Sequence, residues 1–184
     1  MNSGVYIYSR YMKTHGQSKS NIMAYYKMLY YEEGSTATVS VLESDKGHRF
    51  LRVNGKTDGS SEGDNYTQMM LGYLPAIYTS TLENALIIGL GTGITSASIL
   101  DLPVSNVDTI EISPEVINAA SYFSDLNKSV FDDSGSSIHN LDGRTWLMAM
   151  PKQYDIITSE PSNPWQTGNA NLFTVVSSVL PLIG

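Results

Sequence analysis

Cysteine is absent from this 184-residue chain. Its absence excludes disulfide frameworks, thiolate zinc sites and cysteine nucleophiles together. Histidine is nearly as rare, with three scattered copies, so no metal site is expected. Basic side chains are also scarce: 11 Lys and Arg stand against 18 Asp and Glu, giving a net charge of −7. They form no cluster that could follow a nucleic-acid backbone, so no nucleic-acid partner is expected and a neutral or cationic one suits the surface better. Long apolar runs are missing too. Nothing approaches the roughly 20 residues of a membrane-spanning helix, and "MNSGVYIYSRYMKTHGQ" lacks the apolar core of a signal peptide, so the expectation is a cytoplasmic protein without a membrane partner. There is no internal repeat and no low-complexity segment.

What is present describes a folded chain. Hydrophobic residues make up 41% and charged residues 16%, enough for one globular domain with a core and a small accessory unit. Residues 1 to 26 have no clean period beyond a short strand pattern at "GVYIYS". From Leu29, "LYYEEGSTATVSVLES" and "GHRFLRVNG" alternate β-branched or aromatic residues with polar ones around a "DKG" turn, which predicts an antiparallel hairpin or small sheet. "KTDGSSEGD" then reads as a turn-rich joint. "NYTQMMLGYLPAIY" places Met69, Met70, Tyr73, Leu74 and Ile77 on one helical stripe, more in keeping with a core helix than with a ligand-binding box.

Beyond Leu82 short apolar strands alternate with helices. "NALIIGLG", "NVDTIEI", "SSIHNLD" and "YDIITSE" read as strands. "TSASIL", "SPEVINAASYF" and "GRTWLMAM" read as helices, the second opened by Ser113 as cap, Pro114 in its first turn and Glu115 at its positive end. This alternation predicts a parallel sheet with helices on its faces. "NANLFTVVSSVLPLIG" reads as one more helix. Four strands are few for such a domain, so the expectation is a domain incomplete at its C-terminus, with a sheet edge that is exposed or paired with another chain, as in a homodimer. The domain reading is a β-rich unit over 1–60 and a Rossmann-like unit over 61–184.

The chemistry centres on "IIGLGTG". Gly89, Gly91 and Gly93 lie between a strand and a helix, where backbone without Cβ atoms can turn sharply and let a ligand approach the helix start. Glu111 ends the next strand about 20 residues after Gly91, the offset at which such folds place an acid on ribose hydroxyls. A nucleoside site is the expectation, and a purely structural turn is the bland alternative. Read as Gly91-x-Gly93-x-x-Ser96, the turn also fits an NAD fingerprint. His15, His48 and His139 have no carboxylate at a recognisable spacing, and Asp101, Asp132 and Asp133 read as solvated loop residues.

Residues 29 to 174 resemble the spermidine synthase-like branch of the S-adenosylmethionine-dependent transferases. The resemblance is carried by "YYEEGSTATVSV", "RFLRVNGKTDGSS", "TQMMLGYLP", "IIGLGTGITS", "IEISPEVINAA", "LDGRTWL" and "YDIITSEPSNPW". It implies an α/β methyltransferase-like Rossmann fold preceded by a small antiparallel β unit, with S-adenosylmethionine or its decarboxylated form in the cleft between them. Under this resemblance Gly89, Gly91, Thr92 and Gly93 line the methionine and ribose portion. Glu111 takes the ribose hydroxyls, and Ile112 joins the cofactor-binding set. Asp142 and Gly143 sit beside the adenine, and Gln68 faces the cofactor tail and the acceptor pocket. Glu160 falls where aminopropyltransferases carry the acid that binds and deprotonates the attacking amine.

Three positions depart from the polyamine-forming pattern, among them Thr67, which stands where those enzymes carry a tyrosine before the matching glutamine. Thr92 stands where those enzymes carry an aspartate that grips the aminopropyl ammonium, and Asn163 stands for a second acid of the amine pocket. Asn163-Pro164-Trp165 also resembles the Asn-Pro-Pro-aromatic loop of amino-group methyltransferases, in which the asparagine binds the amine. Sulfonium transfer needs an aligned nucleophile, removal of its proton and a dry site. The implied reaction is transfer of an aminopropyl or methyl group to an amine or polyamine acceptor, with Glu160 and Asn163 as catalytic candidates. The competing readings are a nucleoside-binding or interaction protein without turnover and, more weakly, an NAD-binding protein.

Overall fold

The computed structural model of the chain describes residues 26–149 and 152–159. Two four-stranded sheets form the frame. In the first, β1 (Tyr26–Glu33), β2 (Thr38–Ser44), β3 (Arg49–Val53) and β4 (Lys56–Ser60) pair antiparallel in chain order. The second contains β5 (Asn84–Ile88), β6 (Asn106–Glu111), β7 (Ser136–Asn140) and β8 (Ile156–Ser159), all parallel and ordered β7-β6-β5-β8. Helix α1 (Asn65–Ala76) joins the sheets. Helices α2 (Ile94–Leu100), α3 (Pro114–Ala120), α4 (Ser124–Asp132) and α5 (Gly143–Ala149) follow between and beside the parallel strands, with one 3₁₀ turn at Ser121–Phe123.

The apolar run of β5 explains its central place. Its side chains alternate between faces, and both faces are covered: Ala85 and Ile87 pack with Ile99 of α2 on one side, while Leu86 and Ile88 pack with Trp146 of α5 on the other. A strand buried on both faces reads as continuous apolar sequence rather than as an alternating pattern. This is the α/β arrangement expected from the sequence.

The antiparallel sheet completes its core with elements of the parallel unit. Val39, Val41 and Leu51 are buried against Val116 and Ala119 of α3 and against Phe123. Contact is close at the β1–β2 turn, where a Cβ on Gly34 would lie 1.9 Å from Glu115 Oε1. Arg49 of β3 also pairs with Asp125 of α4.

Four local expectations are corrected. The "KTDGSSEGD" joint contains strand β4, since Lys56–Ser60 pairs with β3 despite its turn-prone residues. Residues 124–132 form α4, whose buried side chains at Asn127 and Val130 continue the face of Phe123. The stripe on α1 is only partly buried: Met70, Leu74 and Ile77 are exposed, and the helix meets α2 through Gly72, which lies against Ser98 and Thr95. Ser113 occupies the cap position of α3, but its hydroxyl bonds Glu115 Oε2 at 2.5 Å instead of a helix N–H. Glu115 is buried at the contact with the first sheet, so more than the helix dipole determines its place. The "GVYIYS" strand and the "NANLFTVVSSVLPLIG" helix lie outside the described residues.

Candidate functional site

The chain leaves β5 for β6 and β7 on one side and later returns to β8 on the other. Such a reversal opens a crevice beyond the carboxyl ends of β5 and β8, where α/β sheets place ligands. The glycine turn occupies that position. Gly89, Gly91 and Gly93 have φ of 96°, 54° and 82°, a region that side chains with Cβ atoms rarely enter. Gly89 N–H donates to Ile110 O at 2.8 Å, and Gly93 N–H donates to Leu90 O at 2.8 Å. The turn is therefore fixed both to β6 and within itself.

Asn127 of α4 supports the turn from behind. Its Nδ2 donates to Thr92 O and, at 2.8 Å, to Ala120 O, and a Cβ on Gly93 would lie 2.8 Å from that nitrogen. Sequence reasoning missed Asn127 because α4 itself was missed. The available signal is a polar residue between Phe123 and Val130 at helical spacing, on a face otherwise apolar.

The second wall comes from β4 and α1. Gln68 is 3% exposed, its Oε1 accepts from Thr92 Oγ1, and its carbonyl accepts from Thr95 Oγ1 at 3.0 Å. A Cβ on Gly59 would lie 2.7 Å from Thr92 Cγ2 and 3.5 Å from both amide atoms of Gln68. Strand β4, the first turn of α1 and the glycine turn thus meet at one point. Among the described residues, Gln68 Nε2 and Ser159 Oγ are buried polar atoms without a hydrogen-bond partner. Ser159 ends β8 opposite Ile88, immediately before Gly89. Burying a polar group without a partner is costly, and these two atoms flank the crevice where a ligand could satisfy them.

Glu111 closes the other end. Leu90 N–H donates to its Oε2 at 3.0 Å, and Ser113 N–H donates to its Oε1 at 2.9 Å. Burial pushes its carboxyl up, while N–H groups of Ser113, Leu90, Ile112 and Gly91 pull the other way. Each carboxylate oxygen still has acceptor capacity for a ligand hydroxyl. Ile112 follows with 52% exposure, and Leu141 nearby is 41% exposed. Asn140 holds these segments together by donating to Glu111 O at 2.9 Å and to Ile112 O at 3.1 Å. Asp142 Oδ1 accepts Thr145 N–H at 2.8 Å as the cap of α5, which begins at buried Gly143.

The structure thus brings Gln68, Thr92 and the three glycines together and joins Glu111 to the turn through Leu90. It places Ile112, Asp142 and Gly143 at the neighbouring strand ends. Glu160 and Asn163 lie outside the described residues, as does His15. The other two histidines have carboxylate partners supplied by distant chain segments: His48 pairs with Glu62, and His139 Nε2 lies 2.8 Å from Asp108 Oδ1.

With this geometry in place, three kinds of similarity agree. The spermine/spermidine synthase domain family matches residues 64–178. Polyamine aminopropyltransferases of Clostridium beijerinckii and Lachnospira eligens are 24% and 25% identical over 149 residues, spanning 80% of this chain and 52% of each relative. The chain therefore spans about half the length of these curated relatives. A spermidine synthase from Thermotoga maritima superposes with a TM-score of 0.67 at 23% identity, over 73% of this chain and 47% of that one. A spermidine synthase in complex with the transition-state analogue AdoDATO gives 0.70 at 22% identity, over 76% and 48%. These structures share the fold of the paired sheets.

Proposed function

The chain belongs to the spermine/spermidine synthase family, and from that membership we propose that it binds decarboxylated S-adenosylmethionine and transfers its aminopropyl group to an amine. The observation that carries the reading is the Glu111 carboxylate, buried at the end of β6 and oriented by N–H groups from the glycine turn and from Ser113. A nucleoside placed against the turn meets that acid with its ribose hydroxyls. Exposed Ile112 offers an apolar surface for the flat base. Gln68 and Ser159, with their unpaired buried atoms, stand at the end where the donor's tail would run.

The donor supplies an activated carbon bonded to a sulfonium. The acceptor nitrogen attacks that carbon, the C–S bond breaks with its electron pair passing to sulfur, and methylthioadenosine departs. The protein's part is alignment, exclusion of water and removal of the proton released by the amine. We assign the proton to Glu160, the residue following Ser159 at the end of β8, and amine positioning to Asn163. The acceptor class is an alkylamine or polyamine, in keeping with the chain's net charge of −7.

Calorimetric titration with decarboxylated S-adenosylmethionine, S-adenosylmethionine, methylthioadenosine and NAD tests the reading. Binding of methylthioadenosine and of the decarboxylated donor, followed by release of methylthioadenosine when putrescine is added, is the expected result. A preference for S-adenosylmethionine with methylated amine as product would replace aminopropyl transfer with methyl transfer. Absence of heat with all three adenosine sulfur compounds would refute it.

A further inference from the structure

The face of the parallel sheet beneath α5 carries a carboxylate where an apolar layer would serve. Asp108 of β6 lies opposite Leu86 and two residues before Ile110, so it shares their face, and it is 7% exposed. Four side chains gather on or beside it. His139 Nε2 of β7 lies 2.8 Å from its Oδ1, while Lys152 Nζ and Tyr154 Oη donate to its Oδ2 at 2.7 and 3.1 Å. Trp146 of α5 donates its Nε1–H to Tyr154 Oη at 3.0 Å and lies against His139, with ring centroids 4.2 Å apart.

Stability alone does not call for this cluster, because exchanging a buried ion pair for apolar packing of similar volume is often neutral or stabilising. What the cluster adds is direction. Burial and the neighbouring Asp108 charge push the Tyr154 phenol up to about 12, so it keeps its proton near neutrality. That proton goes to Asp108 and leaves a phenol lone pair for the Trp146 N–H, so a one-way chain of hydrogen bonds runs from α5 to β6. Trp146 is itself one turn from the start of α5. Its backbone N–H donates to Asp142 O at 3.0 Å, and Asp142 Oδ1 caps the helix through Thr145 N–H. The segment before the helix is anchored at the strand ends, by Leu141 N–H to Glu111 O and by Asn140 to the carbonyls of Glu111 and Ile112. Leu141, Asp142 and Gly143 are thus held at two points, one beside Glu111 and one at Asp108.

On the premise of the nucleoside site proposed above, we propose that Asp108 is a positioning residue for the purine base: through Tyr154 and His139 it fixes Trp146, and Trp146 fixes the first turn of α5, which presents Asp142 and Gly143 to the base. Asp108 itself touches no ligand, since it lies three residues before Glu111 on β6, about 10 Å along the strand. Its effect is on which base is accepted. An acceptor oxygen on Asp142 recognises an exocyclic amino group only while the helix start is held in one setting, and a first turn free to shift would receive a carbonyl-bearing base nearly as well.

The test compares two probes that differ only in the base, methylthioadenosine and methylthioinosine, which has a carbonyl in place of the amino group. Wild-type protein, Asp108→Asn and Tyr154→Phe are titrated with both by calorimetry. Tyr154→Phe removes the hydroxyl that links Trp146 to Asp108 but leaves Asp108 its partners Lys152 and His139, so it decides the matter if Asp108→Asn fails to fold. Wild-type protein should prefer methylthioadenosine, and each folded variant should narrow that preference by about fivefold or more. A merely structural role would lower Tm and leave the preference as it is. An unchanged preference in the folded variants, or wild-type protein that binds both probes equally, would overturn the positioning role while leaving the proposed function standing. Wild-type protein that binds neither probe would overturn the proposed function and the positioning role with it.

Discussion

Replacing Asn127 with alanine should loosen the glycine turn without touching the crevice. The side chain is fully buried, and its Nδ2 serves the carbonyls of Thr92 and Ala120. Truncation leaves two carbonyls short of a donor, each worth about 1–3 kcal/mol when buried. It also removes Oδ1, which has no partner among the described residues, and so recovers about 1–3 kcal/mol from that atom. With the small cavity added, the net destabilisation is about 2–4 kcal/mol. For a domain of this size that corresponds to a fall in Tm of about 4–16 °C. Differential scanning calorimetry with and without methylthioadenosine reads both effects, and the ligand's upward shift in Tm should shrink in the variant because the turn is less well held. A variant melting within 1–2 °C of wild type, with an unchanged ligand shift, would refute the role given to Asn127.

Glu111→Ala should weaken methylthioadenosine by about tenfold or more, and calorimetric titration showing equal affinity would remove the ribose assignment. Gly93→Ala places a Cβ at φ of 82° and 2.8 Å from Asn127 Nδ2, so a loss of about 1–3 kcal/mol is expected in urea unfolding; an unchanged midpoint would contradict the geometry. Asp108→Asn probes acid sensitivity. Burial opposes the Asp108 charge, but hydrogen bonds from Lys152, His139 and Tyr154 outweigh it and hold the carboxyl below its usual range. A depressed folded-state value contributes stability above the unfolded pKa of about 3.9, and that contribution is lost as pH falls through the folded value. The stability gap between wild type and Asp108→Asn should therefore be widest near neutrality and narrow below about pH 4; a gap that widens in acid would reverse the sign.

The parallel strands were legible because burial on two faces leaves a signal local to each segment. "ALIIG" before three glycines carries its own strand and turn, and Ser113-Pro114-Glu115 marks the start of α3 even though the serine hydroxyl turns to Glu115. Strand β4 was hidden because Lys56–Ser60 has weak β propensity and owes its extended form to pairing with β3. Helix α4 was hidden for a related reason. Its buried side includes Asn127, whose value lies in two carbonyls from elsewhere in the chain, and no local pattern announces such a partner. The exposed stripe on α1 misled in the opposite direction, since the helix packs through Gln68 and Gly72 while Met70 and Leu74 face outward. Residues that a motif fixes along the chain, such as Gly89, Gly91, Gly93 and Glu111, were legible. Residues that brace the motif from other elements were not.

The shared core of the two sheets also bears on cooperativity. Among the described residues, the buried side chains that complete the core of Val39, Val41 and Leu51 are Val116, Ala119 and Phe123. Those three residues follow directly on the segment that carries Glu111 and Ile112. Local opening of the hairpin would therefore uncover the floor of α3, and opening of α3 would strip the hairpin, so the two form a common foldon. A ligand seated on Glu111 would slow hydrogen exchange in β2 and β3 without contacting either strand, because both share one opening equilibrium.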